Sequence, residues 1–182
     1  MFKFEQLDDI TRQYMLSEFR AEEVSGNPYR STRLSPAGLL AFPKLMVEAI
    51  LHGNEETLAQ ALSNPQHWNP TEPYTRSGVT RQRRINPIKA AEFLARTEFN
   101  TCYVRGLARR LLDEGDQYCQ VYRAAPAWEP RAECLQHDGK IYSVQEIYDG
   151  HRARYWPPPG NPTALSIPVG TNCHHSIRRV RD

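Results

Sequence analysis

Residues 86–123 read NPIKAAEFLARTEFNTCYVRGLARRLLDEGDQYCQVYR. Asn86 followed by Pro87 is a helix start, an asparagine cap with proline in the first turn, where its missing N–H costs nothing. The spacing predicts one long helix from there to about Glu114, stopped at Gly115. Ile88, Ala91, Ala95, Phe99, Cys102, Tyr103 and Gly106 form one apolar face, and Phe93, Val104, Leu107, Ala108 and Leu111 form a second. A helix apolar on two faces belongs at the centre of its domain. Glu98 beside the first face needs a partner if it is buried, and Arg105, two turns on, is the expected ion-pair partner, since a lone buried carboxylate costs several kcal/mol. After Gly115 the period changes to two, so 117–123 is a strand.

Downstream, 124–131 is a proline-broken loop, 140–142 a short strand, and Ser143-Val144-Gln145-Glu146 a capping box opening one or two helical turns ended by Gly150. The run Pro157-Pro158-Pro159 excludes regular structure around it, and 165–169 and 174–180 read as extended. The fold class expected is therefore α+β, a helical N-terminal half and a long central helix packed on a small antiparallel sheet.

Upstream, Leu7, Ile10, Tyr14, Met15 and Phe19 recur at helical steps and predict a helix over 5–23 with Asp8 and Asp9 in its first turn, either packed on one face or serving as a partner-binding arm. Ser35-Pro36 is an N-cap with proline behind it. The helix that follows to His52 is kinked or restarted at Pro43, and Gly53-Asn54 ends it and caps a short helix over 55–62. Between 63 and 86, Pro65, Pro70, Pro73 and Gly78 break any helix, so a long loop is expected. Its run Arg81-Gln82-Arg83-Arg84 is either a solvated charged segment or a contact for phosphate or an acidic protein surface.

The chain of 182 residues is long enough to bury a core. Its 23 Lys plus Arg against 21 Asp plus Glu leave only +2, less lopsided than is usual for a general polyanion binder, so any nucleic-acid contact must come from local clusters. No window approaches the roughly 18 apolar residues of a membrane span, and Met1-Phe2-Lys3-Phe4-Glu5 lacks a leader's hydrophobic region, so a cytosolic protein without membrane contact is expected. In a reducing compartment its four cysteines are free or metal-bound more readily than paired.

Two segments carry soft ligands: Cys134-Leu135-Gln136-His137 and Cys173-His174-His175. Two thiolates and two imidazoles from Cys134, His137, Cys173 and His175 match the ligand set of a closed tetrahedral zinc site, with His174 pointing to the opposite strand face as a spare. Free packed thiols, a Cys134–Cys173 disulfide and a catalytic metal are the alternatives, the last without an HExxH or similar signature. A thiol enzyme would use Cys173 with Glu98 as orienting acid; His174 points away from the sulfur, and His175 is hampered less. Cys102 and Cys119 read as small core residues.

Ala95-Arg96-Thr97-Glu98-Phe99-Asn100, the strand Tyr118 to Tyr122, the segment Cys134 to Val144 and the ending Pro168-Val169-Gly170-Thr171-Asn172-Cys173-His174-His175-Ser176-Ile177 resemble, in that order, the Mu F-like head-morphogenesis family, the minor head or minor capsid proteins of tailed phages. The family's closing motif is "His-Pro-Asn-Cys-Arg-His/Cys"; here Gly170, Thr171 and His174 replace its leading histidine, proline and arginine. The likeness covers roughly residues 88–180 and implies a Mu F-like α+β domain over 86–182; the first 85 residues carry no such likeness and read from their own pattern as a helical region with a long basic, proline-rich loop.

The resemblance also implies a structural job. The chain would be a minor protein of a virion head or neck, not an enzyme, docking on portal or capsid proteins in the host cytoplasm, with a structural zinc and no small-molecule substrate. A DNA-binding zinc module and a thiol-dependent enzyme using Cys173 and His175 remain the alternatives. Arg81, Arg83, Arg84, Arg178 and Arg179 are the candidate nucleic-acid or partner contacts, with Arg105, Arg109, Arg110 and Arg181 also available. Arg109 and Arg110 equally suit pairs with Asp113 and Glu114 on their own helix.

Overall fold

The structure is a computed structural model that describes residues 1–126, 132–153, 165–171 and 173–180. The triple-proline segment and Arg181 lie outside them. In chain order the elements are α1 (Asp9–Val24), α2 (Pro36–His52), α3 (Glu55–Leu62), a 3-10 turn (Pro65–His67), β1 (Thr71–Arg76), β2 (Val79–Arg84), α4 (Pro87–Asp113), β3 (Tyr118–Arg123), α5 (Ala132–Leu135), β4 (Ile141–Ser143), α6 (Val144–Asp149) and β5 (His175–Arg179). The fold is α+β, with two antiparallel sheets, β1-β2 and β4-β3-β5.

The chain forms two compact units, 30–96 and, from two separate stretches, 1–29 with 97–182. The sequence suggests a division at 85/86 instead. The difference arises because the N-terminal segment is tied to the C-terminal elements: Lys3 N–H donates to the Ala124 carbonyl at 2.7 Å, Tyr122 donates to the Lys3 carbonyl at 2.6 Å, and Phe4 packs on Tyr103 at 4.7 Å between ring centroids. Asp8 is not in the first turn of α1 but caps it, accepting from Thr11 N–H at 2.8 Å. Arg110 of α4 binds the same carboxylate at 2.7 Å. The buried stripe of α1 is Thr11, Met15 and Phe19, whereas Ile10 is 51% exposed. Of the two readings of this helix, the packed one is observed.

Gly106 is where α1 meets α4. A Cβ there would lie 2.6 Å from the Met15 backbone nitrogen and 2.7 Å from its Cα, so only hydrogen fits. Gly106→Ala is expected to destabilise this unit by about 2–3 kcal/mol through overpacking against backbone, seen as a lower urea midpoint; a loss under about 0.5 kcal/mol would mean the helices do not approach this closely.

In the other unit, α2 runs unbroken through Pro43 instead of restarting there. Its Ser35 cap accepts from Gly38 N–H at 3.1 Å, and Asn54 and Thr57 cap α3 reciprocally. Phe42, Met46, Ala49, Ile50, Leu58 and Leu62 are buried, while Leu40 is exposed. Trp68 donates to the Leu62 carbonyl at 2.7 Å. The loop expected over 63–86 is a 3-10 turn followed by a hairpin, β1 paired with β2 in the register Thr71↔Arg84 to Arg76↔Val79. Ser77 and Gly78 both have positive φ, 51° and 76°, the two-residue connection whose twist suits a hairpin. Gly78, expected to break any helix, does so by making this turn.

Helix α4 contributes residues to both units and matches its predicted span closely, with Gly115 following at φ 88°. Ala91, Ala95, Phe99, Tyr103, Val104, Leu107, Ala108 and Leu111 are buried as expected, but Ile88 is exposed. Strand β3 pairs with β4 from Tyr118↔Ser143 and with β5 from Cys119↔Arg179 to Arg123↔His175. Residues 165–169, expected as a further extended segment, form no strand.

Candidate metal centre

The turn after α5 is tied to the central strand. Gly139 N–H donates to the Val121 carbonyl and Val121 N–H to Lys140, at 2.9 and 2.8 Å. Asp138 Oδ1 accepts from Arg123 N–H at 3.0 Å. This fixes α5, and with it Cys134, beside the end of β3. On the other side of β3 its pairing with β5 places His175 opposite Arg123. Asn100 of α4 donates to the His175 carbonyl at 2.8 Å, pinning that strand end to the helix.

The two motifs meet there. The ligand atoms of Cys134, Cys173 and His175 all lie within 4.8 Å of one another, and all three residues are buried. Cys173 Sγ and His175 Nδ1 are 3.8 Å apart. Zinc–sulfur bonds of about 2.3 Å and zinc–nitrogen bonds of about 2.1 Å set tetrahedral edges of roughly 3.5–3.8 Å; the Cys173–His175 pair stands at that edge, and the 4.8 Å limit on the three donors is about 1 Å wider. Residues two apart on an extended segment share a face, which is why His175, and not His174, reaches the sulfur. His174 hydrogen-bonds the Pro126 carbonyl at 2.7 Å, away from the cluster. The hindrance expected between Cys173 and His175 is absent. Cys134 and Cys173 are free thiols, not a disulfide.

His137, the expected fourth ligand, is not in the cluster. Its Nδ1 is 2.7 Å from the Tyr142 hydroxyl, which turns the ring toward β4. No other His, Cys, Asp or Glu among the described residues joins the three. Asp138, which the spacing did not single out, stands 3.8 Å from His175 Nε2 on the far side of the ring. That is too far for a hydrogen bond, and Nε2 is buried without a hydrogen-bond partner; the carboxylate acts on the ring through its charge alone.

The electrostatics do not activate a nucleophile. Burial, partly offset by backbone donors at His175 and Val169, and the adjacent Cys134 push the Cys173 thiol up to about 11. A reactive cysteine needs the opposite shift. Burial also lowers the His175 pKa against the pull of Asp138, so the imidazole is neutral at pH 7 and able to coordinate. Cys102 and Cys119 are buried, Cys119 being pushed up to about 12 by burial, as fits core residues.

The Glu98–Arg105 pair does not form. Seven helical residues separate them by about 10.5 Å along the axis. Glu98 instead meets Arg152, Nη2 to Oε2 at 2.7 Å, and the Arg152 Nε lies 2.9 Å from Glu22. Arg105 binds Glu18 at 2.7 Å and lies over the Tyr148 ring. Arg109 and Arg110 pair with Asp113 and Glu114. Arg178 is bound to Glu5 at 2.5 Å, and Arg179 to Asp116 and Glu114. Arg81, Arg83 and Arg84 lie on the exposed strand β2.

His151 Nε2 is 3.5 Å from Glu22. Burial, against the pull of Glu22, lowers the His151 pKa from 6.5 to about 4. Burial would raise Glu22, but the His151 hydrogen bond and the Arg152 charge bring it down to about 2. Between pH 6.5 and 4 the unfolded histidine takes up a proton that the folded one refuses, so stability falls on acidification, by about 2–3 kcal/mol at pH 4. Glu22 adds a loss of the same sign from pH 4.5 down to about 2. Urea midpoints across pH 4–7 check this. His151→Gln should flatten the upper leg; parallel curves would contradict the assignment.

Comparison of the chain with protein-family models, with curated proteins and with solved structures gave no match.

Proposed function

We propose that this chain is a non-catalytic assembly component, a minor structural protein of a tailed-phage head or neck that docks on portal or capsid proteins, its C-terminal sheet stapled by zinc. The observation that carries the reading is the buried meeting of Cys134 with Cys173 and His175. These come from the two segments whose sequence resembles the Mu F-like family, and their burial suits a structural ion. A bound zinc would tie α5 to the start of β5 across the end of β3, holding the connection after β3 against the strand that pairs with it. Cys134, Cys173 and His175 would hold it.

Among the described residues no helix is long and apolar enough to cross a membrane. The test is mass spectrometry of purified particles of a phage encoding this chain. A fixed low copy per head or connector supports the assignment; recovery only as a soluble monomer outside particles overturns it.

A further inference from the structure

The hairpin β1–β2 has no evident use in a core. Every residue of β2 is exposed, and β1 alternates between exposed and half-buried. An isolated two-stranded hairpin is at best marginal in water, so an exposed one held in place calls for a reason. Its fastenings are polar. Glu72 is clasped by Arg33 at 2.5 Å and by Arg83 at 2.7 Å. Thr75 and Thr80 share a hydrogen bond of 3.1 Å, and the Arg83 guanidinium lies 5.5 Å from the Tyr74 ring centroid.

The charge is uneven. Arg76, Arg81, Arg83 and Arg84 against Glu72 give residues 71–84 a charge of +3, more than the +2 of the whole chain, so the remainder is net negative. Glu72 is neutralised by its clasp, whereas no ion pair among the described residues engages Arg76, Arg81 or Arg84. Facing residues in an antiparallel pair point to one side, so Tyr74, Arg76, Arg81 and Arg83 share a face, and Arg84 faces the other way. Two strands about 4.8 Å apart and roughly 20 Å long make a ribbon that the major groove, about 12 Å wide, admits. Arginine's planar fork suits phosphate oxygens on either wall.

We infer that the β1–β2 hairpin is a DNA-binding ribbon that enters a duplex groove without base specificity, with Arg76, Arg81 and Arg84 on the phosphates. This goes beyond the proposed structural role and does not depend on it. The hairpin lies outside the segments that resemble the phage family. Arg178 and Arg179, sequence candidates for the same contact, are committed to internal ion pairs and are not part of it.

The test is fluorescence anisotropy of a labelled 20-base-pair duplex with the full chain across about 50–200 mM salt. The triple variant Arg76→Ala, Arg81→Ala, Arg84→Ala should bind at least about tenfold more weakly, and the slope of log affinity against log salt should shrink by about 2–3. The charge-keeping variant Arg76→Lys, Arg81→Lys, Arg84→Lys should retain binding, which separates loss of charge from loss of the hairpin. No binding by the unaltered chain at the lowest salt overturns the inference. So does an unchanged slope in the alanine variant, or displacement of the duplex by poly-glutamate at equal charge, which would mark an acidic protein surface as the partner.

Discussion

Cys173→Ser is expected to leave the chain without stoichiometric zinc and to lower its thermal midpoint by about 10–15 °C, the shift that roughly 3–5 kcal/mol makes in a protein of this size. Cys134→Ser and His175→Ala should do the same, because the three donors lie within 4.8 Å of one another and an ion cannot be held tightly by two. His174→Ala should keep its metal, since that ring binds the Pro126 carbonyl. A chelator should reproduce the effect on the unaltered chain, and iodoacetamide should label Cys134 and Cys173 only after metal removal. Equal midpoints with and without chelator would reduce the cluster to packed thiols.

The second large effect is expected at Arg152. Glu98 is 2% exposed and its carboxylate is held by the Arg152 guanidinium. Arg152→Ala removes the cation shared by Glu98 and Glu22 and leaves a buried carboxylate, which costs about 3–5 kcal/mol, whereas Arg152→Met combined with Glu98→Gln and Glu22→Gln removes all three charges and should recover most of the loss. Arg105→Ala is a comparison, since it breaks a pair with Glu18 that is less buried than that of Glu98 with Arg152 and should cost less. Urea unfolding of the four proteins gives the ordering. If Arg105→Ala proves the more damaging, Glu98 is not held as described.

What was legible in the sequence is what local chemistry sets. Asn86-Pro87 and Gly115 bound α4, Ser35 and Asn54 cap α2 and α3, Ser143 opens α6, and the change of period after Gly115 marks β3. The hairpin was hidden because Pro73 and four arginines look like a loop, while its signal is only the Ser77-Gly78 pair. In the site, spacing offered four ligands but not their directions. Cys173 and His175 are two residues apart at the entry to β5, a spacing the sequence displays, whereas the fate of His137 depends on Tyr142, a residue on the next strand. Arg152 was invisible as the partner of Glu98 because 54 residues separate them and only the tertiary fold brings them together. Asp138 had a weak signal, a carboxylate beside the CxxH pair.

The most direct test of the staple is X-ray absorption at the zinc edge on the chain purified from zinc-supplemented cells. The expected result is about one zinc per chain, with two sulfurs near 2.3 Å and an imidazole nitrogen near 2.1 Å. A metal-poor protein, or a shell of nitrogen and oxygen alone, would contradict it.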